Sequence, residues 1–305
     1  LESTTYPGTT REVLMPLLKK GTAKKFFLAF SPERVDPGNK KFTITNTPKV
    51  VGGADAQSGK LATLFYKQFI TSVHTVTTAE AAEMSKLLEN TFRAVNISLV
   101  NELALLSAKL GINMREVIDA AATKPHGFMP FYPGPGIGGH CIAVDPFYLS
   151  YKARKHGFIT KFIDLAGKIN QNMPHQVVNI IKRALKEIAG KQLNHARILL
   201  IGVTYKKNIR DARESPAIPV AKRLLAQRAK LTYYDPYFTH ELALQGKTIP
   251  RLQTLTGTAI HTADCVVILT DHSVVDYNNI KKYARIIVDT RGVYKTSNNK
   301  KLYSL

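Results

Sequence analysis

Between Phe131 and Tyr148 the chain reads FYPGPGIGGHCIAVDPFY. Glycine stands at 134, 136, 138 and 139, and proline at 133 and 135. Proline removes a backbone donor and fixes φ, while glycine gives up the side chain that would pack a helix or strand. The stretch can therefore be neither element in regular form. It is a shaped loop whose backbone can approach a ligand closely. It ends on Cys141, one of two cysteines in the chain. Four residues on, Asp145-Pro146 has the pattern of a helix start, Asp as N-cap and Pro at the first helical position. Cys141 then falls just before a helix N-terminus, where the dipole favours a thiolate. A nucleophile fits that place; the alternative is a tight turn holding an incidental small apolar residue.

Upstream of the loop, short apolar runs alternate with helical patterns. Residues 1–10 read as a strand end and a turn at Pro7-Gly8. A helix follows from Thr9 or Thr10 to Lys20, stopped by Gly21. Residues 26–30 form a short strand leading into the loop SPERVDPGN, 48–53 a second strand and 73–77 a third. Between the last two, 55–70 is a helix with Leu61, Leu64, Phe65 and Phe69 on one face. Such alternation implies an α/β unit with a parallel sheet, although the strands are too few for a complete domain. A long helix spans 78–110, with Thr77 and Glu80 as a capping-box pattern and Gly111 as its stop. Apolar residues crowd both of its sides, which predicts burial in a helical middle domain or an interface. Lys86 and Asn90 lie at i and i+4 and share a face, with Arg93 at i+7; a solvated stripe is the plain alternative. A helix over 113–122 precedes the loop. After it come a helix over 146–156 and a helical region over 162–191, broken near Pro174.

From Ala196 the pattern changes to buried strands: ARILLIGVTY, then 231–235, 265–270 and 284–290, with a helix over 216–229. This is a second doubly wound α/β unit. Its first turn, GVTYKKN, is not GxGxxG, so a standard dinucleotide site is not expected there. Tyr205, Lys206, Asp235, Asp271, Asp289 and Arg291 lie at strand ends, where ligands of open α/β sheets bind. Lys206 with Arg291 suits a phosphorylated ligand. Cys265 lies inside an apolar strand and reads as inert core.

The 305 residues allow two or three domains with real cores. No apolar run reaches membrane-spanning length, and two distant cysteines fit a reducing, cytoplasmic setting. The formal charge of +21 raises nucleic acid as a partner. However, the lysines and arginines are scattered, and no zinc-finger spacing or RNA-recognition signature accompanies them, so a solvated basic surface is the reading preferred. The chain opens on Leu1 in what reads as a strand end, and is expected to be a fragment lacking its beginning.

Six stretches in order, ESTTYPGTT, FSPERVDPGN, KLLENTFRAVN, PFYPGPGIGGHCIAVDPFY, GVTYKKNIRDARESP and VDTRG, together resemble the nucleotide-sugar dehydrogenases of the UDP-glucose/GDP-mannose dehydrogenase superfamily. SPERVDPGN and PFYPGPGIGGHC resemble the branch that oxidises UDP-N-acetylhexosamines. The UDP-glucose branch, and a non-catalytic UDP-sugar-binding or dimerisation fragment, are the alternatives. The resemblance implies an α/β fold in three parts: 1–77 as the remaining edge of a Rossmann NAD domain whose main part is missing, 78–191 as a central helical dimerisation domain, and 192–305 as a Rossmann-like UDP-binding domain. It implies oxidation of the sugar C6 alcohol to the acid by two NAD in succession, in a cytoplasmic homodimer joined through the helix 78–110 and serving surface-polysaccharide synthesis. It implies Cys141 as the nucleophile, forming a thiohemiacetal and then a thioester. Lys86 and Asn90 would then stabilise and place the oxyanion, Asp145 would take part in proton transfer, Glu33 would be the base of thioester hydrolysis and Thr4 would position the water. Thr4, Glu33 and Cys141 would also meet the cofactor, and Phe131, Tyr132, Gly138, Gly139, Lys206 and Arg291 the substrate. No metal, membrane or specific nucleic acid enters this expectation.

Overall fold

The alternating apolar and amphipathic segments build, among the described residues, a three-stranded sheet, a five-stranded sheet and a two-stranded hairpin with helices in a computed structural model. It describes residues 1–22, 25–36, 38–294 and 300–305, with His140 and Cys141 described by backbone alone. A π-helical turn, Thr9–Leu14, runs into α1 (Met15–Gly21); then come β1 (Ala29–Phe30), β2 (Lys49–Gly53), α2 (Ala56–Tyr66), β3 (Val73–Val76) and α3 (Ala79–Leu110). Helices α4 (Met114–Ala121), α5 (His140–Lys155) and α6 (Lys161–Ala189) follow. The last part holds β4 (Arg197–Ile201), α7 (Ala217–Ala226), β5 (Lys230–Tyr234), β6 (Leu242–Leu244), β7 (Lys247–Ile249) and α8 (Gly257–Thr262). It ends with β8 (Cys265–Ile268), α9 (Tyr277–Tyr283), β9 (Ile287–Asp289) and β10 (Leu302–Ser304). The chain divides into two compact units, Leu1–Ala94 with Val144–Asp164, and Val95–Ala143 with Leu165–Leu305.

In the first unit the sheet order is β1-β2-β3, with β1 antiparallel to β2 and β2 parallel to β3. The incoming chain lies along β1: the Leu1 ammonium donates to the Ala29 carbonyl and the Ser31 amide donates to the Leu1 carbonyl, each at 2.9 Å. That pattern is a parallel bridge, so the chain after Leu1 and the chain after Phe30 leave the sheet at the same end. The strand expected over 26–30 shrinks to two residues because Phe27 is exposed and the Leu28 amide donates to the Ser58 hydroxyl. Asp55 caps α2 by accepting from the Ser58 amide at 2.7 Å. The face expected to pack is the wrong one: Leu61, Leu64, Phe65 and Phe69 are exposed, and Ser58 and Gly59 are the buried residues. Their small size lets α2 approach β2.

The cap of α3 is Thr78, whose hydroxyl accepts from the Ala81 amide, and not Thr77. The helix is not buried all round. In the first unit Ala79, Ala82 and Leu87 are buried while Met84, Leu88 and Phe92 are exposed. In the second, Val100 and Ala104 pack on Met114 and Ile118 while Leu99, Leu103, Leu106 and Leu110 are exposed. The packed side is the alanine-rich one. Two proline readings also change. Helix α5 starts at His140, so Asp145 is not its N-cap and Pro146 lies inside the helix. Helix α6 continues through Pro174 without a break.

The second unit is built on a five-stranded, all-parallel sheet in the order β10-β9-β8-β4-β5. All four residues of β8 are buried, Cys265 among them, and burial pushes its thiol up and out of reach of ionisation. The hairpin β6–β7 was not anticipated. Its turn residues, Gln245 and Gly246, both have positive φ, as a two-residue type I′ turn requires.

Asp264, 5% exposed, enters β8 and accepts from Lys191 Nζ at 2.8 Å, the Arg197 amide at 2.9 Å and Arg197 Nη2 at 3.2 Å. Burial alone would push its carboxyl up, but these donors outweigh it and hold the group at about 2, against 3.8 for a free aspartate. A carboxyl depressed by folding stabilises the fold fully above the unfolded value and loses that contribution as pH falls toward the folded one, here about 2 kcal/mol in all. Asp264→Asn is expected to lose about 2 kcal/mol at neutral pH and to show a flatter acid limb in a denaturation series. Parallel acid limbs for the two proteins would refute it.

Candidate active site

The residues expected to act divide between the two units. Thr4, Glu33, Lys86, Asn90 and Asp145 lie in the first; Phe131, Tyr132, Gly138, Gly139, Cys141, Lys206 and Arg291 lie in the second.

In the first unit the buried side of α3 carries Asn90, 8% exposed, whose Nδ2 donates to Asp145 Oδ2 at 2.6 Å. Asp145 is 2% exposed and stands on α5, so its carboxylate serves Asn90 instead of capping a helix. Lys86 is half-buried one turn before Asn90, with no carboxylate within ion-pair distance among the described residues. A cation, a buried amide and a buried carboxylate at that spacing can stabilise an oxyanion and handle a proton. Thr4 and Glu33 stand three residues beyond the bridged positions Leu1 and Phe30, at the same end of the sheet. Glu33 is not a buried carboxylate. Its side chain is 53% exposed, 3.6 Å from Lys49 Nζ, and accepts from the Arg34 and Val35 amides. The Arg34 guanidinium goes to Glu89 at 2.6 Å, not to Glu33.

One buried carboxylate escaped the sequence reading. Glu83, on the turn of α3 before Lys86, is fully buried and accepts from the Gly8 amide at 2.6 Å, the Thr10 amide at 2.8 Å and the Thr10 hydroxyl at 2.7 Å. It ties the Thr4–Thr10 segment to the helix that carries Lys86 and Asn90.

In the second unit the glycine–proline loop has its own scaffold. Asn101, fully buried, accepts from the Gly134 amide at 2.9 Å and donates to Asn170 Oδ1 at 2.9 Å; the Asn170 amide reaches Ser98, which bonds the Ala166 carbonyl. This polar chain fixes the loop between α3 and α6. Phe131 packs on Val100, Ala104, Met114 and Ile118, and the Tyr132 hydroxyl donates to Asp119 at 2.6 Å. Gly138 and Gly139 lie on Tyr205, and a Cβ on Gly138 would come within 2.8 Å of Pro216. Gly139, at φ 87°, makes the left-handed step into α5. Cys141 is therefore the second residue of that helix, inside its first turn and still at the positive end of the dipole; its side chain lies outside the described residues. The turn that carries the half-buried Lys206 is clipped from below. Asp235 accepts from the Val203 amide at 2.7 Å and faces His272 Nε2 at 3.1 Å, and His272 Nδ1 accepts from the Asn208 amide at 2.9 Å. With Nδ1 an acceptor, the proton sits on Nε2 and points at Asp235. Asp235 is fully buried: burial pushes its carboxyl up, but His272 and the backbone donors prevail and hold it below the ordinary value.

Three segments match models of one family, the UDP-glucose/GDP-mannose dehydrogenase family: residues 1–70 its NAD binding domain, 80–172 its central domain and 199–296 its UDP binding domain. The expectation that the NAD-binding part is missing is thereby corrected. The lack of a GxGxxG turn within residues 1–70 misled it, because the match to that domain runs over residues that do not carry the fingerprint. The chain is 37% identical over 301 residues to the UDP-N-acetyl-D-mannosamine dehydrogenase of Methanocaldococcus jannaschii, covering 96% of this chain and 65% of that protein. It is 36% identical over 279 residues to the UDP-N-acetyl-D-glucosamine 6-dehydrogenase of Pseudomonas aeruginosa, covering 89% and 64%. It thus spans just under two thirds of these relatives' length. Among solved structures, the UDP-D-ManNAc dehydrogenase of Pyrococcus horikoshii superposes with a TM-score of 0.86 at 32% identity, over 99% of this chain and 71% of that one. Among the described residues no helix is long and apolar enough to cross a membrane.

Proposed function

Because the chain belongs to the UDP-glucose/GDP-mannose dehydrogenase family, we propose that it serves the NAD-dependent oxidation of the C6 hydroxyl of a UDP-N-acetylhexosamine to the uronic acid. The observation that carries the reading is the buried Asn90–Asp145 hydrogen bond on the helix that presents Lys86. A dry amide–carboxylate pair one turn from a cation has little structural use on a helix that could bury alanine there.

The chemistry assigns each group a task. Removal of a hydride from C6 and of the proton from its hydroxyl leaves an aldehyde. The Cys141 thiolate adds to its carbonyl carbon, forming a C–S bond and an oxyanion that Lys86 and Asn90 stabilise. Loss of the second hydride converts this thiohemiacetal into a thioester. Water then adds, the C–S bond breaks, and Cys141 is restored with release of the acid. Asp145 holds a proton during these steps, and Thr4 orients the water. Glu33, exposed in its unit, takes the role of base once the substrate covers it. NAD, when bound, accepts the hydride in each of the two oxidations. Thr4 and Glu33, leaving one end of a sheet that contains a parallel pair, fit a cofactor at that edge.

The exposed apolar residues of α3, spaced i, i+4, i+7 and i+11 at Leu99, Leu103, Leu106 and Leu110, support a homodimer through this helix. A cytoplasmic enzyme of polysaccharide precursor synthesis is the setting that fits. The test is NADH formation with UDP-N-acetylglucosamine, UDP-N-acetylmannosamine and UDP-glucose in turn. One of the N-acetylhexosamines is expected to turn over fastest, with two NADH per acid released. Faster turnover of UDP-glucose would overturn the substrate, and UDP-sugar binding without NADH would favour a non-catalytic role.

A further inference from the structure

Two guanidinium groups converge on one corner of the second unit. Arg115, on the first turn of α4, donates from Nη2 to the Pro133 carbonyl at 3.0 Å and lies over the Tyr132 ring, 5.5 Å from its centroid. Arg291 donates from Nε to the Leu269 carbonyl at 2.7 Å, and its Nη1 stands 3.0 Å from where a Cβ on Gly134 would be. Both therefore flank the Pro133–Gly134 peptide. Room for them comes from two glycines. A side chain on Gly134 would crowd Arg291, and a Cβ on Gly292, at φ 64°, would fall 1.8 Å from Arg115 Nε.

Neither cation has an ion-pair partner among the described residues, although three carboxylates are near Arg115; one of them, Asp119, accepts from the Tyr132 hydroxyl at 2.6 Å. Asp289 is spent on the backbone, accepting from the amides of Arg291, Gly292 and Tyr294 at 2.9, 2.8 and 3.0 Å. Asp271 pairs with Lys207 at 3.3 Å. Burial lowers the proton affinity of both guanidiniums, and Arg115 lowers that of Arg291 further. Arg115 also stands at a helix N-terminus, the end that disfavours a cation. Asp271 and Asp289 offset part of this at a distance, but two like charges, half-buried and without a direct ion pair, are costly to the fold unless an anion joins them.

We propose that Arg115 is a diphosphate-binding residue of this unit, acting with Arg291 as a two-guanidinium clamp beside the Pro133–Gly134 peptide. The fork geometry of both groups suits the paired oxygens of a nucleoside diphosphate, and Tyr132 and the Pro133 carbonyl hold Arg115 ready for it. The proposal deepens the UDP-sugar reading and rests on it for the nucleotide, but not for the anion.

Titration calorimetry of the full chain with UDP and with inorganic pyrophosphate tests it, in wild type, Arg115→Gln and Arg115→Lys. Arg115→Gln is expected to weaken UDP about tenfold, with no fall in the ligand-free melting temperature, and Arg115→Lys to recover part of the loss. Unchanged UDP affinity in Arg115→Gln overturns the proposal. So does a loss that Arg115→Lys, folded to the wild-type melting temperature, does not recover in part. A wild type that holds pyrophosphate through Arg115 but not UDP overturns the nucleotide-sugar reading and leaves the clamp standing. A wild type that holds neither overturns both.

Discussion

Cys141→Ser is expected to cut formation of the uronic acid on the order of 10³-fold while leaving UDP affinity within about twofold. The reason lies in ionisation and in the leaving group. Cys141 is the second residue of α5, where the unpaired amides of the first turn favour an anion, and a thiol near pH 7 needs only modest help to become a thiolate. A serine hydroxyl at the same place stays protonated, adds poorly to the aldehyde and forms an ester where the thiol forms the more reactive thioester. In the proposed mechanism the first hydride transfer does not involve the sulfur. The variant should therefore stall at the aldehyde level, and mass spectrometry of the products together with the NADH yield reads this directly. Acid production at the wild-type rate, with two NADH per acid, would remove Cys141 from the mechanism. A parallel loss of UDP binding would mean instead that the substitution had disturbed the glycine–proline loop.

Much of the second unit is legible in the sequence because runs such as RILLI and CVVI admit few places other than a strand covered on both faces, and they lie there. The loop at 131–139 is legible for the opposite reason: its prolines and glycines exclude every regular element. Where local rules were followed one residue pair at a time, tertiary contacts overrode them. Asp145-Pro146 has the chemistry of a helix start, yet the carboxylate is taken by Asn90, from 55 residues away, and the helix begins at His140. The apolar faces of α2 and of part of α3 read as core but are exposed, and packing runs instead through Ser58, Gly59 and the alanines, where close approach replaces side-chain volume. Glu83, Asn101 and Arg115 left no periodic trace, since a single polar residue in a helix is indistinguishable from a solvated one until its partner across the fold is known. What singles them out is geometry: three donors on Glu83, the Gly134 amide on Asn101, and two glycines that clear space for two guanidiniums.

Asn90→Asp is expected to be the most damaging single change in the first unit, costing about 3 kcal/mol of stability near neutral pH and abolishing measurable turnover. Asn90 and Asp145 are 8% and 2% exposed and meet at 2.6 Å. The substitution removes the donor and puts a second carboxylate where the amide was, so two like charges face each other in a dry site. They cannot both ionise, and the pair keeps one proton to a higher pH than a free carboxyl would. The sign follows. A carboxyl whose folded value is raised is penalised when ionised, so the loss is largest at high pH and eases as pH falls and the shared proton returns. Asn90→Ala makes the control. It deprives Asp145 of one donor, costs about 2 kcal/mol and lowers turnover on the order of 10²-fold, but creates no shared proton. Chemical denaturation of both variants between about pH 7 and about pH 5 separates them: Asn90→Asp should gain on Asn90→Ala as the solution is acidified. Parallel curves would mean that the two side chains part when both are charged. The hydrogen bond would then be one that the unit can lose without strain, and the case for Asn90 and Asp145 as a catalytic pair would fall with it.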